Sequence, residues 1–591
     1  MCIRDRPWDN LQADRNGNFP ANPRVGSNVL ETVATITNRE NINRFFGSAR
    51  VTYDLYKTDN QVLKVGVEAG LDQYTLEQRG LFPQELSFYR DPSSLRGVSI
   101  QGFADNTNTN ISAFAVHDFY AENNLNFTTQ VGVIQLDENQ NVANIIASGL
   151  NGSQTNIDQA ENNQVSQSRF ESQIKGFFAQ EEINWDDKFI ATVGIRGDKS
   201  TNNGDPNKVF WNPKASLAVN IHNLTDLGGA LSQLKPRIAW GQSARFAGFL
   251  DRFNSLDPTQ IQGNAGLGTS ALLGNPNVAP ETQTEFEVGA DIGFLDNRFL
   301  LTASYYIKTI DDLLLRAQVP ASSGFTNQVV NAGELENKGL ELGIEAEVLR
   351  GNNGLSWATG FNWWKNNSNI NRLDIPAFNT GGFAAFLGQG RIQEGQSATQ
   401  LIGTIDPSRC NSDSDCSNVD PEGDGFMKFG DMEADFNLSW TNSITFGGLE
   451  VNWLFHWKQG GDGINLSTLL YDLGSVTWDY DDTTLDPTGT LVNGDFRLAA
   501  LGVHPGVYIE DAGYLRLREV GIYYTLGSDV LGNALKGIRV GVSGRNLINI
   551  FDYNSYDPEV SNFGNNVLIN SVEVTPYPSS KQFNFHVNFT F

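Results

Sequence analysis

The segment DPEGDGFMKFGD, from Asp420 to Asp431, carries a spacing that specifies a chemistry. Asp420, Glu422 and Asp424 fall at positions 1, 3 and 5, Gly425 at 6 and Asp431 at 12, the pattern of an oxygen-lined calcium loop. Carboxylates so spaced repel one another until a divalent cation balances them. Position 12 is Asp rather than a bidentate Glu, position 9 is Lys428, and no helical pattern flanks the run. A solvated acidic turn is therefore the competing reading. Just upstream, Cys410 and Cys416 lie six apart in an Asp-rich stretch. A local disulfide is expected if that stretch faces an oxidising exterior, and two free thiols otherwise. Trp478, Tyr480 and Tyr508 stand in long polar stretches, where aromatic rings could stack on sugars or peptide side chains. Trp363, Trp364, Trp453 and Trp457 read as interfacial or wall aromatics. The five histidines, His117, His222, His456, His504 and His586, occur singly, and neither an HExxH pair nor a GxSxG elbow is present. Catalysis finds no support.

Bulk composition narrows the classes further. With 68 acidic and 41 basic residues the chain carries a net charge of -27, which repels nucleic-acid phosphates. The acidity serves either to keep long loops solvated or to draw cations. No stretch approaches the ~20 apolar residues of a membrane-spanning helix. The opening MCIRDRP has no apolar core and is no secretory signal. Residues 1–26 are set aside as a non-native or disordered start.

The elements that must position these residues are strands. In SKQFNFHVNFTF, Phe583, Phe585, Val587, Phe589 and Phe591 alternate with Asn584, His586, Asn588 and Thr590. Alternation puts one face against an apolar medium and the other against water or a polar lumen. About sixteen such segments are found, starting near 27–37, 42–56 and 61–76, resuming at 167–185 and ending at 580–591. Many exceed the ~10 residues that cross a bilayer at a tilt. Short links at 57–60, 185–187, 295–297, 350–354 and 446–448 alternate with long ones at 77–166, 244–280, 311–334, 369–431, 459–511 and 550–579. Only an asymmetric environment explains that alternation. The expected fold is all-β, a transmembrane antiparallel β-barrel over residues 27–591 with short periplasmic turns and long extracellular loops. The Asn-rich stretch 104–166 is compatible with strand extensions above the membrane.

Several segments resemble the SusC/RagA class of TonB-dependent outer-membrane transporters. They include NPNVAPETQTEFEVGADIGFLDNRFLLTASYYIKTIDDLL from Asn275, PASSGFTNQVVNAGELENKGLELGIEAE from Pro320, GFFAQEEINWDDKFIATVGIRGDKS from Gly176, YIEDAGYLRLREVGIYYTLG from Tyr508 and SGRNLINIFDYNSYDPEV from Ser543. Within NAGELENKG, Gly333 and Gly339 are expected to supply backbone freedom at a loop base. The resemblance implies about 22 strands, an amino-terminal plug and a TonB-contacting box, none of which is legible here. The chain therefore reads as a carboxyl-terminal part of such a barrel, and an isolated sixteen-strand piece would leave an open seam. The resemblance further implies import of an oligosaccharide or oligopeptide, a SusD-like lipoprotein partner, contact with the TonB complex through the missing amino-terminal region, and an outer-membrane location. No cofactor is required, and calcium at the acidic run is the one candidate. The alternatives are a siderophore or cobalamin receptor and, from another class, a passive porin or calcium-dependent surface adhesin.

Overall fold

The computed structural model describes residues 11–590, except 23–26, 88–95, 151, 153–154, 262–263, 352–353, 413–414, 528–535, 563–570 and 578. Phe591 thus lies outside the described residues. Among the described residues a single sheet of 17 strands forms the wall. Its first half comprises β1 (Thr37–Lys57), β2 (Gln61–Phe82), β3 (Val98–Ala121), β4 (Leu125–Ser148), β5 (Asn162–Trp185), β6 (Phe189–Ser200), β7 (Phe210–Val219) and β8 (Leu231–Arg245). The second comprises β9 (Glu281–Phe294), β10 (Phe299–Asp311), β11 (Glu334–Leu349), β12 (Leu355–Arg372), β13 (Phe436–Phe446), β14 (Leu449–Gln459), β15 (Tyr514–Gly527), β16 (Gly537–Ile550) and β17 (Gln582–Thr590). Each strand pairs antiparallel with the next in sequence. Among the described residues, β1 and β17 each have a neighbour on one side only.

The alternation written in the sequence is realised as two faces. On β17, Phe585 is 82% exposed and pairs with Val542, while His586 on the opposite face meets Ser543 Oγ at 2.9 Å. Outward apolar side chains continue across neighbouring strands, with Phe455 stacked on Trp440 at 5.8 Å. Trp363, Trp453 and Trp457 belong to this outward face. Trp364 turns inward and stacks on His456 at 5.8 Å. Near the short-turn rim Trp185 and Phe189 stack at 5.6 Å, as aromatics do at a membrane boundary.

Two expectations need correction. The segment 27–37 is not a wall strand: Val29–Thr35 is a short helix, α1, capped by Asn28, whose side chain accepts from Leu30 N and Glu31 N. The Asn28 side-chain amide also holds the carbonyls of Leu11 and Pro20, both at 2.9 Å. Leu11 and Pro20 are thereby tied to the start of α1. The larger correction is that 77–166 is not one long connection. It contains β3 and β4, joined by a turn at Glu122–Asn124.

Polarity hid these strands. On the outward face Val131, Val133 and Phe177 are exposed and apolar, but one step further along the same face come Gln135 and Lys175, then Asp137 and Gln173. There Gln135 donates to Asp137 at 2.7 Å and Gln173 donates to it at 2.5 Å. A face that turns from valine to a carboxamide and carboxylate lattice has left the hydrocarbon. The upper parts of β2–β5 are thus extensions above the membrane, in keeping with the Asn-rich composition.

The two glycines of NAGELENKG serve different needs. Gly333 has φ +119 and a Cβ would stand 2.7 Å from the Arg372 carbonyl, so it does supply the freedom of a loop base. Gly339 instead makes room for the Tyr306 ring, which a Cβ would meet at 2.2 Å. Tyr306 lies across it to donate to Asn366 Oδ1 at 2.9 Å.

Because β17 presents Phe585 outward, a cation there meets lipid. In the full-length protein Phe585→Arg is expected to cost up to ~2–4 kcal/mol if it lies near mid-depth, lowering the amount of heat-modifiable barrel in the membrane. Asn588→Arg, on the inward face, should assemble at near-normal levels.

Candidate functional site

The long-connection rim carries folded structure of its own. Connections 373–435, 460–513 and 551–581 pack into one cap. Its first part is a sheet of four strands, Phe378–Thr380, Gln389–Ile392, Gln400–Thr404 and Phe426–Asp431. Its second is a strand, Asp462–Asn465, flanked by Ile509–Asp511 and, in parallel, by Val572–Glu573. Helices α2 (Leu466–Leu473) and α3 (Asn493–Ala500) complete it, and Asn465 caps α2 by accepting from Thr468 N at 3.0 Å. Leu401, Met432, Ile464, Leu466, Leu469, Tyr508 and Val572 form its apolar core.

A buried ion triad locks the two helices. Arg497 on α3 donates to Asp472 at 2.7 and 2.8 Å and to Asp479 at 2.8 Å through two nitrogens. Asp472 is 0% exposed. Burial raises the Asp479 carboxyl, but the hydrogen bonds and charge of Arg497 outweigh it and hold the group below its ordinary value. A second network fastens the last connection to the wall. Arg516 pairs with Asp557 and with Glu559, while Arg518 and the Tyr514 hydroxyl also donate to Glu559. Burial pushes Glu559 up, and these partners bring it down to about 2.

The acidic run does not gather as its spacing suggested. Asp420 turns its oxygens onto its own backbone, accepting from Gly423 N at 2.8 Å, Asp424 N at 3.1 Å and Gly425 N at 2.9 Å. Asp424 pairs with Arg391. Asp431 accepts from Thr399 at 2.6 Å and Lys428 at 2.9 Å, which keep it below its ordinary value against the upward push of burial. Glu422 is exposed. Phe426–Asp431 is an extended strand, so positions 7 to 12 run straight where a calcium loop would wrap. Among the described residues no group of three or more acidic, imidazole or thiol side chains is placed to hold a metal ion. The donor set does not fit calcium, because three of its four carboxylates already have protein partners. The Cys410–Cys416 disulfide is present beside this turn.

Of the three rim aromatics, one remains open. Trp478 is 75% exposed. Tyr508 is 0% exposed and donates to Asp472 at 3.3 Å, and buried Tyr480 donates to Asp495 at 2.5 Å. Both tyrosines hold the cap together and present no free face to a ligand. The residues that sequence reading passed over are arginines, namely Arg391, Arg497 and Arg516. Their acidic partners lie 18 to 43 residues away, beyond the reach of any local motif.

Relatives fit this architecture. The family described as TonB dependent receptor-like, beta-barrel matches residues 4–547, which includes much of the opening set aside above. TonB-dependent receptor P3 of Formosa agariphila is 26% identical over 462 residues, covering 71% of this chain and 46% of its own length. TonB-dependent receptor SusC of Bacteroides thetaiotaomicron is 26% identical over 214 residues, 34% of this chain and 21% of its own. The solved RagAB peptide transporter superposes with a TM-score of 0.75 at 17% identity, covering 98% of this chain and 66% of that one. The chain spans at most about half the length of the curated relatives it matches.

Arg497→Ala strands a fully buried Asp472, a loss of about 3–5 kcal/mol. Protease should then cut within 466–500 of the full-length protein while the barrel stays folded, which fragment mapping by mass spectrometry would show. The Glu559 anchor has a definite pH sign. Its folded value, about 2, lies below the ordinary 4.5, so its stabilisation is complete above 4.5 and is lost as pH falls through about 2. Cleavage within 551–581 should rise across that window in the wild type. In Glu559→Gln it should be high already at neutral pH and should not gain from this group on acidification.

Proposed function

The chain belongs to the TonB dependent receptor-like β-barrel family, and from that premise we propose that it forms the wall and outer cap of an energised importer for an oligosaccharide or oligopeptide. The wall lies in the outer membrane. The observation that carries the reading is the cap, three connections folded over one rim around a shared core. A passive pore needs no such structure, whereas a receptor that selects a bulky solute needs a shaped entrance. The RagAB peptide transporter, whose fold this chain shares, is named for the second of these solute classes. By the same likeness its partners are a SusD-like lipoprotein at the capped rim and the TonB complex on the other side, engaged by the full-length protein.

The inward face agrees with passage of a polar solute. Arg237 reaches Glu287 and Ser304, Asn366 meets Tyr306, and His456 lies between Trp364 and Tyr514. Charges, amides and rings alternate there.

Cells carrying the full-length protein should accumulate labelled oligosaccharides or oligopeptides of a few residues, and removing the gene or the TonB protein should abolish that accumulation. Uptake that continues at the same rate without TonB would overturn energised import in favour of a pore.

A further inference from the structure

A cavity of about 760 Å³ opens on the capped rim between connections 312–333 and 373–435. That is the size of a small-ligand site. Its charge runs against the rest of the molecule. The chain has 68 acidic and 41 basic residues, yet two arginines and no Asp or Glu are among the described residues that line this cavity. Arg316 comes from the strand Leu314–Gln318, and Arg391 from Gln389–Ile392.

The two guanidinium groups are held differently. Arg391 is 5% exposed. It donates through Nη1 to Asn379 at 2.6 Å and through Nη2 to Asp424, and its carbon stands 4.8 Å from the centre of the Phe426 ring. Its Nε has no hydrogen-bond partner among the described residues. A guanidinium placed this deeply with a donor unspent lacks an acceptor. Arg316 is exposed and has no ion-pair partner among the described residues. Ile375 and Phe378 supply apolar wall, which lowers the local dielectric and strengthens any charge interaction made there. The side-chain amides of Gln318 and Asn379 complete a polar edge.

We propose that this cavity binds a carboxylate of the imported oligomer, so that the solute is acidic. The proposal rests on the import reading above and names the chemistry of its substrate. Arginine presents planar, paired donors that match a carboxylate. Arg391 is the fixed wall, oriented by Asp424 and Asn379, and Arg316 is the free cation that closes on the ligand. The turn closed by Asp420 has a role in this arrangement, since it sets Asp424 behind Arg391. The carboxylate has two possible sources, a uronic acid sugar or a peptide.

Binding to the purified full-length protein in detergent separates this proposal from transport. Calorimetry would compare a trigalacturonate with a neutral trisaccharide of glucose, and a tripeptide bearing a free carboxyl terminus with its amide. In one of the two pairs the acidic probe should bind at least tenfold more tightly, with an affinity that falls as salt is raised. Arg316→Gln should abolish that preference, and Arg316→Lys should retain part of it. The pair that shows the preference identifies the source. Equal binding of acidic and neutral probes in both pairs, failure of every probe to bind, or a preference untouched by Arg316→Gln would overturn the proposal. The import reading would survive each of these outcomes, because it is judged by uptake and its dependence on TonB.

Discussion

In hydrocarbon every backbone amide and carbonyl must find a partner within the protein, and most of this molecule follows from that requirement. It is met laterally, strand to strand, through sixteen consecutive antiparallel pairings from β1 to β17. Side chains are thereby released from holding the wall together and can be chosen for what each face touches. That is why one face can carry Phe585 and Trp440 while the other carries His586 and Asn366. The same requirement bears on the free sides of β1 and β17, whose ladders need partners beyond those described.

Above the membrane the rules change, and so do the means of stabilisation. The cap has a conventional apolar core around Leu401, Ile464 and Tyr508, together with buried ion pairs such as those of Arg497 with Asp472 and Asp479. Buried ion pairs add little net stability against an apolar substitute, but they permit one arrangement and reject others. Arg497, on α3, accepts only a geometry in which α2 and the stretch that follows it bring Asp472 and Asp479 to the same place. Arg516 does the same for the final connection and the wall. The cap thus gains definition where its connections, rich in Asn, Asp and Gly, have little apolar surface to define them.

The wall was legible in the sequence along most of its lipid-facing strands, because alternation of Phe, Val and Trp with polar residues is a local signal. β3 and β4 escaped notice for a physical reason: stretches 105–110 and 137–141 are polar on both faces, so Asn, Asp, Gln and Thr follow one another there without a period. The segment 27–37 misled in the opposite way, since VLETVAT is apolar enough for a strand but is capped by Asn28 as a helix. At the rim, the residue types were legible and most of their partners were not. The Asp420 run has the spacing of a metal loop, but its first carboxylate is consumed by three backbone amides of its own turn. Tyr480 and Tyr508 have the chemistry to stack on a ligand and are instead buried with their hydroxyls spent. Whether a side chain is free or already engaged depends on partners far along the chain, and no local pattern records it.

The cap is assembled from pieces that the ribosome makes far apart. Ile464 and Asn465 pair with Val572 and Glu573, and Ser467 donates to Glu573 at 2.7 Å, across more than a hundred residues. The cap therefore cannot close until the last connection has arrived, and that connection arrives together with β17. Completion of the outer surface becomes a late event, tied to placement of the final strand. A barrel whose last hairpin has failed to seat would present an open, unlatched rim to the outside, a visible difference between finished and unfinished protein.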